Sequence, residues 1–459
     1  MKYYARVFVT IYLILLTVIL LWWKQSNVTV QLETYEQPIK LYRRYKADDK
    51  RVLKRDVMLL QEVAMEKQDF LRNRHPYISF LIDDRVRQCG GHFTGYKNLF
   101  AKLVNVLVDP RFARGKHGGE NMSKVMNQAE EEEFYTLEKG FFNLPCTQQV
   151  KYEFGVDSHL NKWIETIELS TDFPNHYEAP QWTIAVQRYE YVNMYHTMTD
   201  WYNTFLVTKV FKLDPKNVTI LWIDGHPAGG LDATWSTLFG DIRRIGEIRT
   251  PVLFPNMIWG IVGYDSPLDE HYLPEVAYLE EFRNFFLSKH NIVPEDFPNC
   301  NQLNILIIWR RDYVAHPRNP TGSVVRKIQN EDKLLKKIKS YFNGHNVKGL
   351  QIDKLSMQDQ LAIISKTDIL IGMHGAGLSH TLFLPRHSGL IELFPLYHPA
   401  ENIHFKSMAE WRHMHYMSWS NFNAENELDN YLTVVNVDEI ALLAIGMKNK
   451  ICNANESFR

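Results

Sequence analysis

The feature that most restricts the fold is an alternation, from about residue 180, of short β-branched and aromatic runs with stretches of helical periodicity. Seven runs have the length and apolar content of buried strands: Trp182–Val186, Val218–Ile223, Pro251–Phe254, Leu303–Trp309, Gly349–Asp353, Asp368–Gly372 and Leu390–Phe394. Three stretches are predicted as helices: Asn330–Phe342, Ser356–Lys366 and Gly377–Leu384. This alternation predicts an α/β fold whose parallel sheets are covered by helices on both faces.

A polar stretch that contains two prolines, Lys289–Gln302, separates two of these strand–helix series. We therefore expect an N-terminal lobe over residues 76–290 and a C-terminal lobe over residues 300–459. Residues 24–75 are highly charged and have only a loose helical period, which indicates a stem rather than part of a core. The acidic run Glu130–Glu133 is predicted to be the solvated first turn of a helix.

Residues 7–23 form an uncharged, mostly apolar stretch near the lower length limit of a membrane-spanning helix. Lys2 and Arg6 precede this stretch, and Trp22 to Gln25 offer no small-residue cleavage site. We predict a signal-anchor with a cytoplasmic tail at residues 1–6, which gives a single-pass type II membrane protein. A cleaved signal peptide is the alternative.

Two further features agree with a lumenal location for the rest of the chain. Sequons occur at Asn27, Asn121, Asn217 and Asn455, and the last three are the predicted N-glycosylation sites. The cysteine count is even and the spacings are too wide for a metal knuckle: Cys89, Cys146, Cys300 and Cys452. One or two disulfides are expected, with the pairing open, and four buried thiols are the alternative. The net charge of −1 gives no argument for a nucleic-acid partner.

The segment Asp368–His380 has the pattern of an apolar strand, a glycine-rich turn and a helix. Gly375 and Gly377, which flank Ala376, permit a tight turn and a close approach of the backbone to a ligand. The N–H groups at the start of the helix would face the carboxyl end of the strand, where phosphate binds readily. His374 would add a contact to a diphosphate. The alternative is a capping turn that binds no ligand.

Two other charged side chains are predicted at the same sheet edge. Arg310 ends a candidate strand, and its guanidinium suits phosphate oxygens. Either Arg310 or Arg311 is expected to be a surface residue or a partner of Asp312. Glu392 interrupts an apolar run, where a carboxylate is costly unless it is paired or faces a ligand. A bond to ribose hydroxyls would explain Glu392, and a carboxylate satisfied by the protein is the alternative.

A candidate base lies in the segment Gln187–Tyr202. If Asn193–Leu206 is helical, His196 and Asp200 are four residues apart on one face of the helix. A histidine or a carboxylate at this position could act as a general base that takes the proton of a substrate hydroxyl. A structural His–Asp pair is the alternative. The triplet Asp-x-Asp, a common ligand for a catalytic divalent metal, occurs nowhere, so we expect no metal ligands and no required cofactor.

Three segments taken together resemble glycosyltransferase family 61: Tyr189–Tyr202, Arg310–Arg318 and Asp368–Pro395. The resemblance covers roughly residues 180 to 450. The first two segments look most like the plant-type β-1,2-xylosyltransferases of that family. The third is at least as similar to the animal enzymes that place N-acetylglucosamine on EGF-type domains.

The resemblance implies a GT-B fold with two Rossmann-like lobes, inverting transfer and a UDP-sugar donor. It places the donor in the C-terminal lobe, at Arg310, His374, Gly375, Ala376, Gly377 and Glu392. The acceptor and the base fall in the N-terminal lobe, with Asp200 as the base and His196 orienting it or substituting for it. The absence of a KDEL-type C-terminus favours a Golgi xylosyltransferase that acts on the core mannose of N-glycans. The alternatives are an O-linked N-acetylglucosaminyltransferase and a non-catalytic glycan-binding protein.

Overall fold

The structure, a computed structural model, describes residues 76–454 apart from short gaps at 172, 174–175, 180–181, 296 and 399–401. The predicted tail, anchor and stem lie outside the described residues, as do Asn27 and Asn455. Within the described part, no helix combines the length and the apolar character that crossing a membrane requires.

Helices and strands alternate along most of the described chain. The α-helices are α1 Pro76–Asp83, α2 Leu160–Glu165, α3 Met194–Val210, α4 Asp232–Leu238, α5 Leu279–Lys289, α6 Glu331–Tyr341, α7 Met357–Ile364, α8 His404–Trp411 and α9 Val437–Ala454. The first eleven strands are β1 Val86–Gln88, β2 Phe93–Tyr96, β3 Phe100–Val108, β4 Ala113–Arg114, β5 Thr136–Leu137, β6 Phe142–Leu144, β7 Ile167–Leu169, β8 Tyr177–Glu178, β9 Thr183–Val186, β10 Thr219–Trp222 and β11 Ile242–Arg244. The remaining strands are β12 Val252–Trp259, β13 Asn304–Ile308, β14 Lys327–Ile328, β15 Asn346–Leu350, β16 Ile369–Met373, β17 Gly389–Phe394, β18 His415–Ser420, β19 Glu427–Leu428 and β20 Leu432–Thr433. The predicted α/β class is confirmed.

The first sheet is mixed. Strands β12, β9, β10 and β11 lie side by side and run parallel. Strand β3 pairs antiparallel with β12, and β2 and β1 continue the sheet beyond it. Most strands of residues 76–180, for which the sequence predicted no strands, therefore extend this sheet, whereas β4 and β5 form a separate two-stranded sheet.

The second sheet has five parallel strands in the order β15-β13-β16-β17-β18. All residues of β16 and β17 are buried, as expected for central strands covered on both faces. Ser356 caps α7, since its side chain accepts a hydrogen bond from the Asp359 N–H. Two predictions need correction: the strand placed at Gly349–Asp353 is Asn346–Leu350, and the helix placed at Gly377–Leu384 is a 3₁₀ helix, Ala376–Phe383.

Helix α3 lies at the centre of the molecule. The Asn193 side chain caps it by accepting from the Tyr195 N–H, and every residue of the helix is buried except His196 and Lys209. A single hydrophobic cluster contains residues of α3, α5, α8 and both sheets, including Trp201 and Ile308. The apolar core is therefore continuous between the two sheets.

The prediction of a solvated helical turn at Glu130–Glu133 needs correction in its helix type and at its last residue. The segment is a 3₁₀ turn, and Glu133 is fully buried. Its carboxylate lies 2.6 Å from Nδ1 of His226 and 3.5 Å from Nε2 of His316. Burial raises the pKa of this carboxyl, but the hydrogen bonds from the two histidines outweigh that effect, so the pKa stays below its ordinary value.

Two disulfides form, Cys89–Cys146 and Cys300–Cys452, which answers the pairing that the sequence left open. Both described sequon asparagines, Asn121 and Asn217, are exposed.

Candidate active site

The loops at the carboxyl ends of the two sheets meet one another. Tyr195, in the first turn of α3, packs against His404 at the start of α8 with 4.7 Å between ring centroids. Arg318, in the loop after β13, donates to Glu190 in the loop after β9. We use "the cleft" for the region between these loops, bordered by His196 and Tyr195 on one side and by Arg310, His374 and His404 on the other.

The glycine-rich turn after β16 forms as predicted, and one of its two glycines lies directly against an arginine side chain. Gly375 has φ +155°, and a Cβ atom there would lie 2.7 Å from Cζ of Arg310. Gly377 has room for a Cβ, whose nearest neighbour would be Cγ2 of Ile308 at 3.4 Å. Ala376 begins the 3₁₀ helix. The turn therefore brings the backbone against the guanidinium of Arg310.

Two arginines at this turn have no carboxylate partner among the described ion pairs. Arg310 donates from Nε to the carbonyl of Val325, and Nε of the neighbouring Arg326 is buried without a hydrogen-bond partner. Burial, with a smaller contribution from Arg326, lowers the pKa of Arg310 to about 10, so the group stays charged at neutral pH. Arg326 has φ +60°, a strained conformation for a side-chain-bearing residue that is found most often at functional sites. Because an uncompensated buried cation is costly, this arrangement suits an anion.

A polar chain fixes the ring of His374. Its Nδ1 lies 2.6 Å from one oxygen of Glu392, and the Tyr416 hydroxyl donates to the other oxygen. Burial raises the pKa of Glu392 to about 8, and burial and two nearby arginines lower the pKa of His374 to about 3. The favoured state is therefore a neutral carboxyl that donates to Nδ1, which leaves Nε2–H of His374 as a donor.

More histidines surround His374. His398 stacks on its ring at 4.5 Å, and His404 lies at 6.1 Å. Burial, followed by the other histidines nearby, lowers the pKa of His404 to about 3. Asp269, His271 and His404 each present a possible metal-ligand atom, and these three atoms lie within 4.8 Å of one another.

The two residues predicted to supply the catalytic base, His196 and Asp200, occupy different environments. His196 faces the cleft, and its ring lies 5.4 Å from the ring of Tyr189 and 5.5 Å from that of Tyr264. Asp200 is 3% exposed, and its Oδ2 has no hydrogen-bond partner. Burial raises the pKa of Asp200 well above its ordinary value and lowers that of His196. The two are on one helix as predicted, but Asp200 lies beneath the loop at Gly263 and does not border the cleft.

The structure thus brings together Arg310, His374, Gly375 and Ala376, and it places His196 opposite them. Glu392 uses both carboxylate oxygens on protein groups, so its contribution to a ligand would pass through His374. Arg311, the neighbour of Arg310, pairs with Glu331 at the surface. Four residues around the cleft were not predicted from the sequence, because none of them lies in a recognisable motif: Arg326, His398, His404 and Tyr264.

A cavity of about 960 Å³ opens on the first-sheet side of the cleft. Tyr189 and Tyr264 line it, and these two rings are 45% and 48% exposed. Both rings also contact His196, so the cavity adjoins that histidine. Exposed aromatic faces beside polar groups are a common setting for sugar rings.

Comparison with known proteins gives a consistent result. The Glycosyltransferase 61 family model matches residues 170–391. The β-1,2-xylosyltransferase RCN11 of Oryza sativa subsp. japonica is 27% identical over 68% of this chain and 66% of its own length. The β-1,2-xylosyltransferase of Arabidopsis thaliana is 24% identical over 67% of this chain and 71% of its own length.

A second group of relatives carries a different name. The EGF domain-specific O-linked N-acetylglucosamine transferase of Gallus gallus is 24% identical over 80% of this chain and 68% of its own length. Matches therefore span about two thirds of the length of these relatives. The resemblance found in the three motif segments is confirmed: the chain is similar to glycosyltransferase family 61 over residues 170–391, and these relatives support a glycosyltransferase.

Proposed function

We propose that this chain transfers xylose from UDP-xylose to the core mannose of N-glycans, with inversion at the sugar carbon. The observation that carries the proposal is the pair of uncompensated arginines, Arg310 and Arg326, at the Gly375 turn. Two cations next to free backbone N–H groups form a site for a diphosphate. The two sheets, each with its strand ends at the cleft, suit the GT-B arrangement that the sequence suggested.

In this proposal, the donor diphosphate binds at the second-sheet side of the cleft. Arg310 and Arg326 neutralise its charge, and the N–H groups of Ala376 and Gly377 contact its oxygens. His374 donates from Nε2, because Glu392 holds the proton that binds Nδ1. The arginines take the place that a divalent metal has in Asp-x-Asp enzymes, so the diphosphate needs no Mg²⁺ or Mn²⁺.

We propose His196 as the base that accepts the proton of the acceptor hydroxyl. His196 is the one residue in the first turns of α3 that is open to the cleft, and its lowered pKa keeps it neutral and able to accept a proton. The cavity beside Tyr189 and Tyr264 would hold the acceptor sugar. Asp200, predicted from the sequence as the base, remains the second candidate and would require the loop at Gly263 to open.

The choice of xylose rests on the rice and Arabidopsis relatives, and the second candidate donor is UDP-N-acetylglucosamine. The transferases named for EGF domains favour the latter, since the Gallus gallus enzyme matches a larger share of this chain. In either case the proposed location is the Golgi lumen, behind a type II membrane anchor. Two disulfides and two exposed sequon asparagines support an oxidising lumenal compartment.

The test measures UDP release by the purified full-length chain. UDP-xylose and UDP-N-acetylglucosamine are compared in the presence and absence of an N-glycan with an exposed trimannosyl core. Arg310→Ala is the inactive control, and Arg311→Ala is its matched partner, because Arg311 pairs with Glu331 outside the cleft.

Release that requires both UDP-xylose and the glycan, and that only Arg310→Ala abolishes, supports the proposal. Release with UDP-N-acetylglucosamine alone would assign the chain to the second donor. Absence of turnover with both donors would contradict the proposal and favour a glycan-binding protein.

A further inference from the structure

Four polar groups converge beside the cleft, outside the proposed diphosphate site. The Tyr195 hydroxyl lies 2.7 Å from Oδ1 of Asp269, 2.8 Å from Nε2 of His271 and 3.2 Å from Nδ1 of His404. The two ring nitrogens lie 2.5 Å apart. All four atoms therefore surround one small volume.

Hydrogen bonds alone do not account for these contacts, because the four groups carry too few protons. A phenol has one proton, and a neutral imidazole nitrogen either carries a proton or accepts one. Because Nε2 of His271 and Nδ1 of His404 face each other at 2.5 Å, only one of them can carry a proton. The Tyr195 hydroxyl and one imidazole nitrogen then supply two protons for the four contacts. A cation would instead bind the lone pairs of these atoms directly.

We propose that Asp269, His271 and His404 bind a Zn²⁺ ion, with the Tyr195 oxygen as the fourth ligand. Two imidazole nitrogens and one carboxylate oxygen are a donor set that zinc prefers over the hard cations Mg²⁺ and Ca²⁺. A tetrahedral zinc site needs about 3.3 Å between ligand atoms. The separations lie on either side of that value: 2.5 Å between the two rings, 3.9 Å between Asp269 and His271, and no more than 4.8 Å between any two of the three ligand atoms.

The ligands come from three parts of the chain. Tyr195 belongs to α3, Asp269 and His271 to the loop that follows β12, and His404 to α8. The side chains of Asp269 and His271 are 20% and 13% exposed, so solvent reaches the site. An ion there would tie the helix that carries His196 to the helix that packs against His374. Its role is to hold the two sides of the cleft together, and it does not contact the donor.

The test uses Zn²⁺ itself and does not depend on transferase activity. The purified full-length chain is stripped with dipicolinate, and Zn²⁺ is titrated against a metallochromic indicator. Asp269→Asn and His404→Gln remove ligands with little change in size, and His117→Gln replaces an exposed histidine elsewhere. Thermal unfolding of each variant with and without Zn²⁺ is the second measurement.

We expect one Zn²⁺ per chain in the wild type and in His117→Gln, with at least about tenfold weaker binding in the two ligand variants. Zn²⁺ should raise the unfolding temperature of the wild type and of His117→Gln only. If His404→Gln does not fold, Asp269→Asn, which keeps the shape of the side chain, decides the question. Equal Zn²⁺ affinity in all four proteins, or no binding at micromolar Zn²⁺ in the wild type, would overturn the proposal.

Discussion

Replacing Gly375 with alanine should weaken nucleotide binding by displacing Arg310. The new methyl group would lie 2.7 Å from Cζ of Arg310, well inside contact distance, and the backbone at φ +155° disfavours a side chain of any size. Arg310 sits in a restricted space and its Nε already binds the Val325 carbonyl, so the guanidinium must leave the turn. Gly377→Ala is the matched control, because its methyl group meets only Ile308 at an ordinary 3.4 Å.

The expected loss follows from the bonds that Arg310 would make to a diphosphate. A hydrogen bond to a charged group contributes about 1.5–3 kcal/mol. Loss of one such bond therefore weakens UDP binding about 10- to 150-fold. Gly377→Ala should bind UDP within about twofold of the wild type, since it displaces nothing.

Isothermal titration with UDP measures this effect, and UDP is common to both candidate donors. A double-mutant cycle with Arg310→Ala isolates the cause. If Gly375→Ala acts through Arg310, it should cost almost nothing further in the Arg310→Ala background. Additive losses, or wild-type UDP affinity in Gly375→Ala, would refute a diphosphate site at this turn. Thermal unfolding of each variant separates a binding defect from a folding defect.

Three other expectations concern the base, the acceptor and metal ions. His196→Asn should lower kcat by about 10²- to 10⁴-fold with UDP affinity unchanged. In the wild type, kcat should fall as the pH drops through the pKa of His196, which burial places below its ordinary value of about 6.5. Asp200→Asn should keep the transfer rate within about tenfold of the wild type and leave the unfolding temperature unchanged or higher, because it removes a buried carboxylate whose Oδ2 has no hydrogen-bond partner. A large loss of kcat in Asp200→Asn but not in His196→Asn would restore Asp200 as the base. Tyr264→Ala should raise the acceptor KM about 5- to 10-fold by removing an aromatic face, and an equal loss of donor hydrolysis would contradict an acceptor role. Transfer in buffer without Mg²⁺ or Mn²⁺ should match transfer with either ion, and a tenfold increase on adding one would argue against neutralisation by arginine.

The three central strands of the second sheet, β13, β16 and β17, were predictable because they are largely apolar runs that end in distinctive residues. The run before Gly375 is one example, since its short length and the glycines that follow it favour a strand over a buried helix. Strand β3 is as apolar, but its partner β12 lies almost 150 residues further along the chain. No local signal indicates the pairing of β3 with β12, and no strand was predicted in residues 76–180.

The donor side of the cleft was partly predictable, since Arg310 and His374 follow strands directly. Arg326 comes from a loop and His404 from the start of α8, and the positions of both depend on tertiary packing that no sequence motif indicates. The different environments of His196 and Asp200 were also hidden. Because α3 is buried on nearly every side, it has no amphipathic pattern that would show which face meets the cleft.

The two disulfides have a topological consequence. Each closes a ring within one part of the chain, residues 89–146 and residues 300–452, and together they use all four cysteines. A single proteolytic cut at Asn291 to Pro298 would fall in neither ring, and the two fragments would separate in denaturant without a reducing agent. A single cut between Cys300 and Cys452 would leave its two fragments joined until the disulfide is reduced. Tyr195 and His196 lie in neither ring, whereas Arg310, His374 and His404 all lie in the second, so the two disulfides constrain the two sides of the cleft differently.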